Sequence, residues 1–241
     1  MLFRSSAIKH REDAAVPHEL STSEIKEVIN AWREAALRTL DAGFEMVEIH
    51  GAHGYLIHQF LSPLANRRTD AYGGDLQGRM RFALELTEAV RAAWPKEKPL
   101  WFRVSAVDAA NGSEDGAWAM DDTVALAREL KARGVDLMDC SASGISIRSP
   151  TASRGGLQLG FQVPYAAAVK RGAGIPTMAV GLILDGPQAE KILQDGDADL
   201  IAIGRQALYN PFWPVHAAQE LGCRSEEHTS ELQSRFGISY A

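Results

Sequence analysis

Apolar positions recur along this chain in two alternating rhythms. From Ile25 they fall at Val28, Ile29, Trp32, Ala35, Ala36 and Leu40, the spacing of one helix face. Ser21-Thr22-Ser23-Glu24 before them is a capping-box pattern, and Gly43 closes the segment. A short run over 44–49 follows, apolar apart from Glu45 and Glu48, which predicts a buried strand. The same two signals then repeat. Helices are predicted over 55–61, 79–94, from Asp121 or Asp122 to about 133, 163–171, 187–194 and 211–221. Strands are predicted over 100–105, 135–140, 175–181 and 198–204. Two polar stretches, 106–118 and 145–160, read as loops, the second long enough to suggest a functional role.

Strands apolar on both faces and joined through helices mean a parallel sheet. No G-x-G-x-x-G follows the first strand, which weakens a dinucleotide-binding Rossmann fold. Five strands do not close a (β/α)8 barrel, which needs eight. Two architectures remain: an open five-stranded sheet, or most of a barrel whose beginning is missing.

Composition narrows the function classes. The 241 residues are 46% hydrophobic and 23% charged, ordinary for a soluble globular protein. A net charge of −6 and the lack of any Lys/Arg-dense run argue against a nucleic-acid partner. Cys140 and Cys223, the two cysteines, cannot make a disulfide framework or a four-cysteine metal site. No apolar run reaches membrane-spanning length and the N-terminus has no signal-peptide core, so no membrane partner is expected and the cytoplasm is the expected compartment. The two ends differ from the rest. Residues 224–234 read as the in-frame translation of a common sequencing adapter, and residues 1–5 as its reverse complement. Residues 1–5 and 224–241 are therefore expected to be adapter-derived, with genuine protein over 6–223.

Candidate chemistry concentrates in Glu48-Ile49-His50-Gly51-Ala52-His53-Gly54-Tyr55, at the end of the first strand. Polar groups at strand ends, sharing one mouth, are how a parallel α/β barrel builds an active site. His50 and His53 allow three readings: metal ligands, structural histidines under a loop, or two neutral imidazoles donating to one carbonyl oxygen. No third ligand stands nearby in a recognisable metal motif, so no metal is expected. In the third reading Tyr55 is a proton donor beside the same substrate. His58, inside the short apolar helix, reads as packing, and Cys140 as a small buried residue. Arg103 sits in an apolar strand, where a charge needs a partner or a ligand; Glu48 and Asp139 are the candidate acids. The last two strands end in Gly181 and in Gly204-Arg205, which suits backbone N–H groups and a guanidinium to an anion such as phosphate.

Residues from about Ser21 to Ala218 resemble the C-terminal two-thirds of an old yellow enzyme, and especially its bacterial xenobiotic-reductase branch. The motifs are 48–58, Leu61-Ser62-Pro63-Leu64-Ala65-Asn66 running to Gly73-Gly74, Phe102-Arg103-Val104-Ser105, Val180-Gly181, and Gly204-Arg205 through Asn210-Pro211. The resemblance implies a partial TIM barrel carrying strands four to eight, FMN as cofactor, and NADPH or NADH as hydride donor. It implies an oxidoreductase that reduces the activated C=C of α,β-unsaturated carbonyl compounds, homo-oligomeric in the full-length parent. His50, Gly51, Ala52, His53 and Tyr55 would then bind substrate, with His50 and His53 holding the carbonyl and Tyr55 delivering a proton. Arg103, Gly181, Gly204 and Arg205 would bind FMN. Gly78 and Asn210 depart from the family, which usually has Asn and Asp there. Two alternatives stand beside it: the flavin barrel of a 2,4-dienoyl-CoA reductase-type enzyme, and a truncated fragment with no activity, whose open strand edges would favour aggregation.

Overall fold

A computed structural model of the chain describes residues 3–9, 15–108, 116–145 and 157–223. The adapter-like residues 224–241, and the greater part of the two loops expected over 106–118 and 145–160, lie outside the described residues. Near the N-terminus β1 (Phe3–Arg4) and β2 (His18–Glu19) make a small parallel pair that the apolar pattern does not predict. Arg68 ties this pair to the main body by donating to the carbonyls of Ser5 and Leu20 at 2.8 and 2.6 Å.

The main body is one five-stranded parallel sheet with its strands in chain order. They are β3 (Val47–Gly51), β4 (Leu100–Ser105), β5 (Leu137–Ser141), β6 (Thr177–Ala179) and β7 (Leu200–Ile201). Chain order with parallel strands requires a crossover each time, and the crossovers are helical. These are α2 (Leu56–Leu61) with α3 (Leu76–Ala93), α4 (Met120–Ala132), α5 (Val163–Ala173) and α6 (Gly186–Gln194). Before them α1 (Thr22–Asp41) packs on α3, and after β7 come α7 (Arg205–Tyr209) and α8 (Trp213–Glu220).

Local chemistry explains most boundaries. The Ser21 hydroxyl accepts the Glu24 N–H while the Glu24 carboxylate accepts the Ser21 N–H, so α1 starts where the capping box expects. Helix α3 starts earlier than the apolar pattern implies, because the Asp75 side chain accepts the Gly78 N–H at 2.8 Å. A Cβ on Gly78 would collide with the Gly73 carbonyl, so the departure at this position lets the first turn of α3 sit on that loop. The N-cap of α4 is Ala119 rather than Asp121 or Asp122; Asp122 works from inside the helix, its carboxylate accepting the Ala119 N–H at 3.1 Å. Strand β3 begins at Val47, not 44, since Phe44 follows the turn at Gly43 and is 60% exposed. Strands β6 and β7 are likewise shorter than their apolar runs.

Register assigns the two faces of the sheet. Ile49, Phe102 and Met138 pair across three strands and are buried in the core against the helices. Successive side chains alternate, so Glu48, His50, Trp101, Arg103, Ser105, Asp139 and Ser141 occupy the other face. Polar groups thus gather on one side of a sheet whose opposite side is apolar. Among the described residues no helix is long and apolar enough to cross a membrane.

Candidate active site

Parallel strands bring all their C-terminal ends to one rim. On it His50 of β3 lies in register with Arg103 of β4, which lies in register with Asp139 of β5. Of the two candidate acids, Asp139 is the partner: Arg103 Nη1 stands 3.2 Å from Asp139 Oδ2. Burial pushes the Asp139 carboxyl up to about 6 against the pull of Arg103. Burial, and then the charge of Asp139, push Glu48 up to about 7, partly offset by Arg103. Cys140, buried between the strands and the helices, has its thiol pushed up by burial and carries no reactive thiolate.

Beyond β3 the chain turns sharply. Ala52 is fully buried, then His53 and Gly54 take left-handed backbone angles, φ +58° and +76°. A left-handed histidine is held only where its surroundings insist on it. Here the His53 N–H donates to Ser105 Oγ at 2.9 Å, and the Gly54 N–H donates to His58 Nδ1 at 2.9 Å. Ser105 in turn donates to the Ser143 carbonyl at 2.7 Å. Gly54 crosses Gly144 so closely that a Cβ on either would strike the other loop's backbone. Tyr55 then caps α2.

His58 packs, as its apolar setting implies, but it also orients the turn. Both His58 and Asp108 are 0% exposed, with His58 Nε2 2.8 Å from Asp108 Oδ1. Asp108 Oδ2 accepts from the Ser62 hydroxyl and from the Trp118 N–H. Because His58 Nδ1 receives the Gly54 N–H, its own hydrogen belongs on Nε2, facing Asp108.

The turn brings three rings together. The His50 and His53 centroids are 5.2 Å apart, and those of His50 and Tyr55 5.6 Å, edge to face. Tyr55 is 65% exposed, so the cluster opens to solvent on its side. Burial and then Arg103 hold His53 down to about 4 and lower His50 as well. Both imidazoles are therefore neutral near pH 7, each with one N–H to offer. His53 Nε2 lies 2.8 Å from Ser141 Oγ, which lies 3.3 Å from Gln162 Oε1. Among the described residues no three His, Cys, Asp or Glu side chains converge as a metal site.

The second predicted group lies further along the rim. Gly181, Gly204 and Arg205 line a hollow of about 360 Å³ past β6 and β7, together with Val180, Leu182 and Tyr209. Gly181 has φ +114°, a conformation side chains avoid, and a Cβ on Gly204 would meet nothing within 4 Å. Among the described residues no carboxylate pairs with Arg205, which is exposed. Adjacent strands are about 4.8 Å apart, so β3 and β6, three spacings apart, lie about 14 Å from each other measured along the sheet. The structure thus joins His50, His53, Tyr55 and Arg103 in one corner and Gly181, Gly204 and Arg205 in another, with β4 and β5 between them. Ser141, Gln162 and Asp108, which connect the first corner, carry no recognisable motif; Ser105 closes the Phe102-Arg103-Val104-Ser105 motif but is marked there by no role, and Ser141 is visible only as a polar residue after an apolar strand.

Comparison with known proteins gives a consistent picture. The family described as NADH:flavin oxidoreductase / NADH oxidase matches residues 4–223. An NADPH dehydrogenase of Geobacillus thermodenitrificans is 44% identical over 92% of this chain and 62% of its own length. One from Halalkalibacterium halodurans is 45% identical over 90% of this chain and 61% of its own length. The chain therefore spans about three-fifths of the curated relatives it matches. Among solved structures, morphinone reductase superposes with a TM-score of 0.72 at 27% identity, covering 95% of this chain and 62% of that one. An old yellow enzyme homologue from Zymomonas mobilis gives 0.72 at 25% identity, covering 91% and 62%. The sheet is thus part of a TIM barrel, as the resemblance implies.

Proposed function

We propose a function from this premise: the chain belongs to the NADH:flavin oxidoreductase / NADH oxidase family, whose cofactor is FMN. The protein to which these residues belong is an FMN-dependent NAD(P)H oxidoreductase that reduces the activated C=C of α,β-unsaturated carbonyl compounds. One observation supports this substrate class above others. Two neutral imidazoles lie with their ring centroids 5.2 Å apart and a phenol at the edge of one of them, on the face that also carries Arg103.

The residues present fit FMN. The hollow at Gly181, Gly204 and Arg205 has glycine backbone, open space and an unpaired guanidinium, the features a phosphate needs. Arg103 pairs with Asp139 through Nη1 and keeps a buried Nε without a partner among the described residues, a donor that suits an anionic ring edge. When bound, FMN supplies the hydride chemistry, taking a hydride from NAD(P)H and passing one to the β-carbon of the alkene.

The chain's own residues do the rest. His50 and His53 each donate one hydrogen bond to the substrate carbonyl oxygen, where negative charge grows as the alkene is reduced. Gly51 and Ala52 form the strand end beneath that oxygen; a Cβ on Gly51 would run into Phe102, which keeps this backbone close to β4. Tyr55 holds a phenolic proton at the rim and delivers it to the α-carbon. Its exposure lets the phenol regain a proton from solvent.

The test is reduction of 2-cyclohexenone by NADPH, followed by product analysis, on the protein carried to the full length of its relatives. Saturated ketone is expected. His50→Ala should lower turnover by about 10²- to 10³-fold, the usual effect of losing one such donor, while NADPH still bleaches the flavin. A wild-type protein whose flavin is reduced by NADPH, yet which forms no saturated ketone, would sink the proposal.

A further inference from the structure

We infer that Ser141 fixes the ring hydrogen of His53 on Nδ1, by donating its own hydroxyl hydrogen to Nε2, and so makes His53 a donor at its one uncommitted nitrogen. The inference rests on the carbonyl-clamp role proposed for His53. A neutral imidazole has a single N–H, so the clamp works only if that hydrogen is on the nitrogen that meets the substrate. His53 Nε2 is already engaged, 2.8 Å from Ser141 Oγ. Only Nδ1 is left for a ligand. A bare Nδ1 would turn its lone pair towards the carbonyl oxygen and repel it.

Among the described residues the hydroxyl hydrogen of Ser141 has two neighbours to choose from. One is His53 Nε2 at 2.8 Å; the other is Gln162 Oε1 at 3.3 Å. An O–H···O bond ordinarily spans about 2.5–3.0 Å, so Gln162 is the poor acceptor and His53 the good one. Turning the Gln162 amide so that its NH₂ donates to Ser141 leads to the same end, since Ser141 then has only His53 to donate to. Ser105 cannot take over the task. Its one hydrogen goes to the Ser143 carbonyl at 2.7 Å, and its lone pair receives the His53 N–H. Ser141 is the last residue of β5, 3% exposed and in register with Ser105, so its hydroxyl is held in place. Burial keeps His53 neutral down to about pH 4, so the question of which nitrogen carries the hydrogen applies across the working range.

Ser141 is thus a positioning residue that acts through His53. The test is long-range ¹H–¹⁵N correlation on the 241-residue chain labelled with ¹⁵N-histidine, at pH 7.5. It reports which ring nitrogen bears hydrogen, and the His53 signals are identified by their loss in His53→Gln. Protonated Nδ1 is expected in the wild type, in Ser141→Thr, and in Gln162→Leu, where the competing acceptor is gone. In Ser141→Ala the hydrogen should move to Nε2 or divide between the two nitrogens. At full family length, Ser141→Ala should lower enone turnover about tenfold or more, with flavin reduction by NADPH unchanged and Ser141→Thr restoring the rate. Hydrogen on Nε2 in the wild type, or an unchanged tautomer in Ser141→Ala, overturns the inference. The spectrum needs no substrate, so such a result leaves the clamp itself standing. Protonated Nδ1 without any enone reduction sinks the clamp instead.

Discussion

At the β3 end of the rim, each group that sets ring direction is tied from a different element. Ser105 of β4 holds the His53 backbone, Ser141 of β5 touches its ring, and the buried Asp108–His58 pair holds Gly54. At the β6–β7 end, the hollow sets Gly181, Gly204 and one exposed arginine among side chains such as Val180, Leu182 and Tyr209, none of them a charged partner for that arginine. Helix α7 there has no buried residue, and Leu208 and Tyr209 are 84% and 85% exposed. The two corners meet different demands. A carbonyl must be met by particular nitrogens in a particular protonation state, which takes a rigid frame. An anion can be met by any N–H or guanidinium close enough, which takes space and charge.

The contrast predicts that changes in the first corner disturb the fold while changes in the second disturb only binding. Asp108→Ala should have the largest effect. It leaves the neutral His58 Nε2–H and the Trp118 N–H facing an empty site, and each buried donor left unpaired costs about 1–3 kcal/mol. Urea unfolding measures it, and a loss below about 1 kcal/mol would show that the frame does not depend on this pair. Arg205→Ala comes next, with its cost in affinity alone. A hydrogen bond to a charged group contributes about 1.5–3 kcal/mol, so the FMN dissociation constant should rise about 10- to 100-fold. Flavin fluorescence titration reads the affinity; an accompanying shift in the apoprotein's urea midpoint would erase the distinction between the corners.

The smallest effect concerns pH and Glu48. Its carboxyl is raised to about 7 from an ordinary value near 4.5. Between those values the folded state holds more protons than the unfolded state, so this group's contribution to stability falls as pH rises from about 4.5 through about 7. Glu48→Gln removes the penalty. The variant should be more stable than the wild type at pH 8 and equal to it at pH 4, by unfolding midpoints. His53 acts in the opposite sense. Its folded value near 4 lies below the unfolded 6.5, so stability falls as pH drops from about 6.5 through about 4. Subtracting the variant's profile from the wild type's removes this opposing slope and leaves Glu48 with its coupling to Asp139.

Much of the first corner is legible in the sequence because its members are neighbours along the chain. His50, His53 and Tyr55 lie within six residues, so any turn after β3 keeps them near one another. Arg103 is visible as a charge in an apolar strand, but the choice between Glu48 and Asp139 is not. Asp139 is its partner because β5, not an edge, lies on that side of β4, in register at that residue. Helix ends are legible where a cap is local, as at Ser21, and shift where the cap acts from an unexpected position, as at Ala119. The apolar setting of His58 places it in the core, yet its link to Gly54 depends on Asp108, which is fifty residues further along the chain.

Apolar periodicity by itself determined a parallel α/β sheet with one polar rim, and the local run from Glu48 to Tyr55 determined what chemistry that rim could hold. Both are properties of neighbouring residues, which the chain cannot separate. Only the tertiary structure decided which hydroxyl faces which imidazole, which acid faces Arg103, and where the hydrogen of His53 resides. Side chains on a strand alternate with a period of two, so a shift of one residue in register sends every one of them to the opposite face. Sequence names the donors and acceptors, and register pairs them.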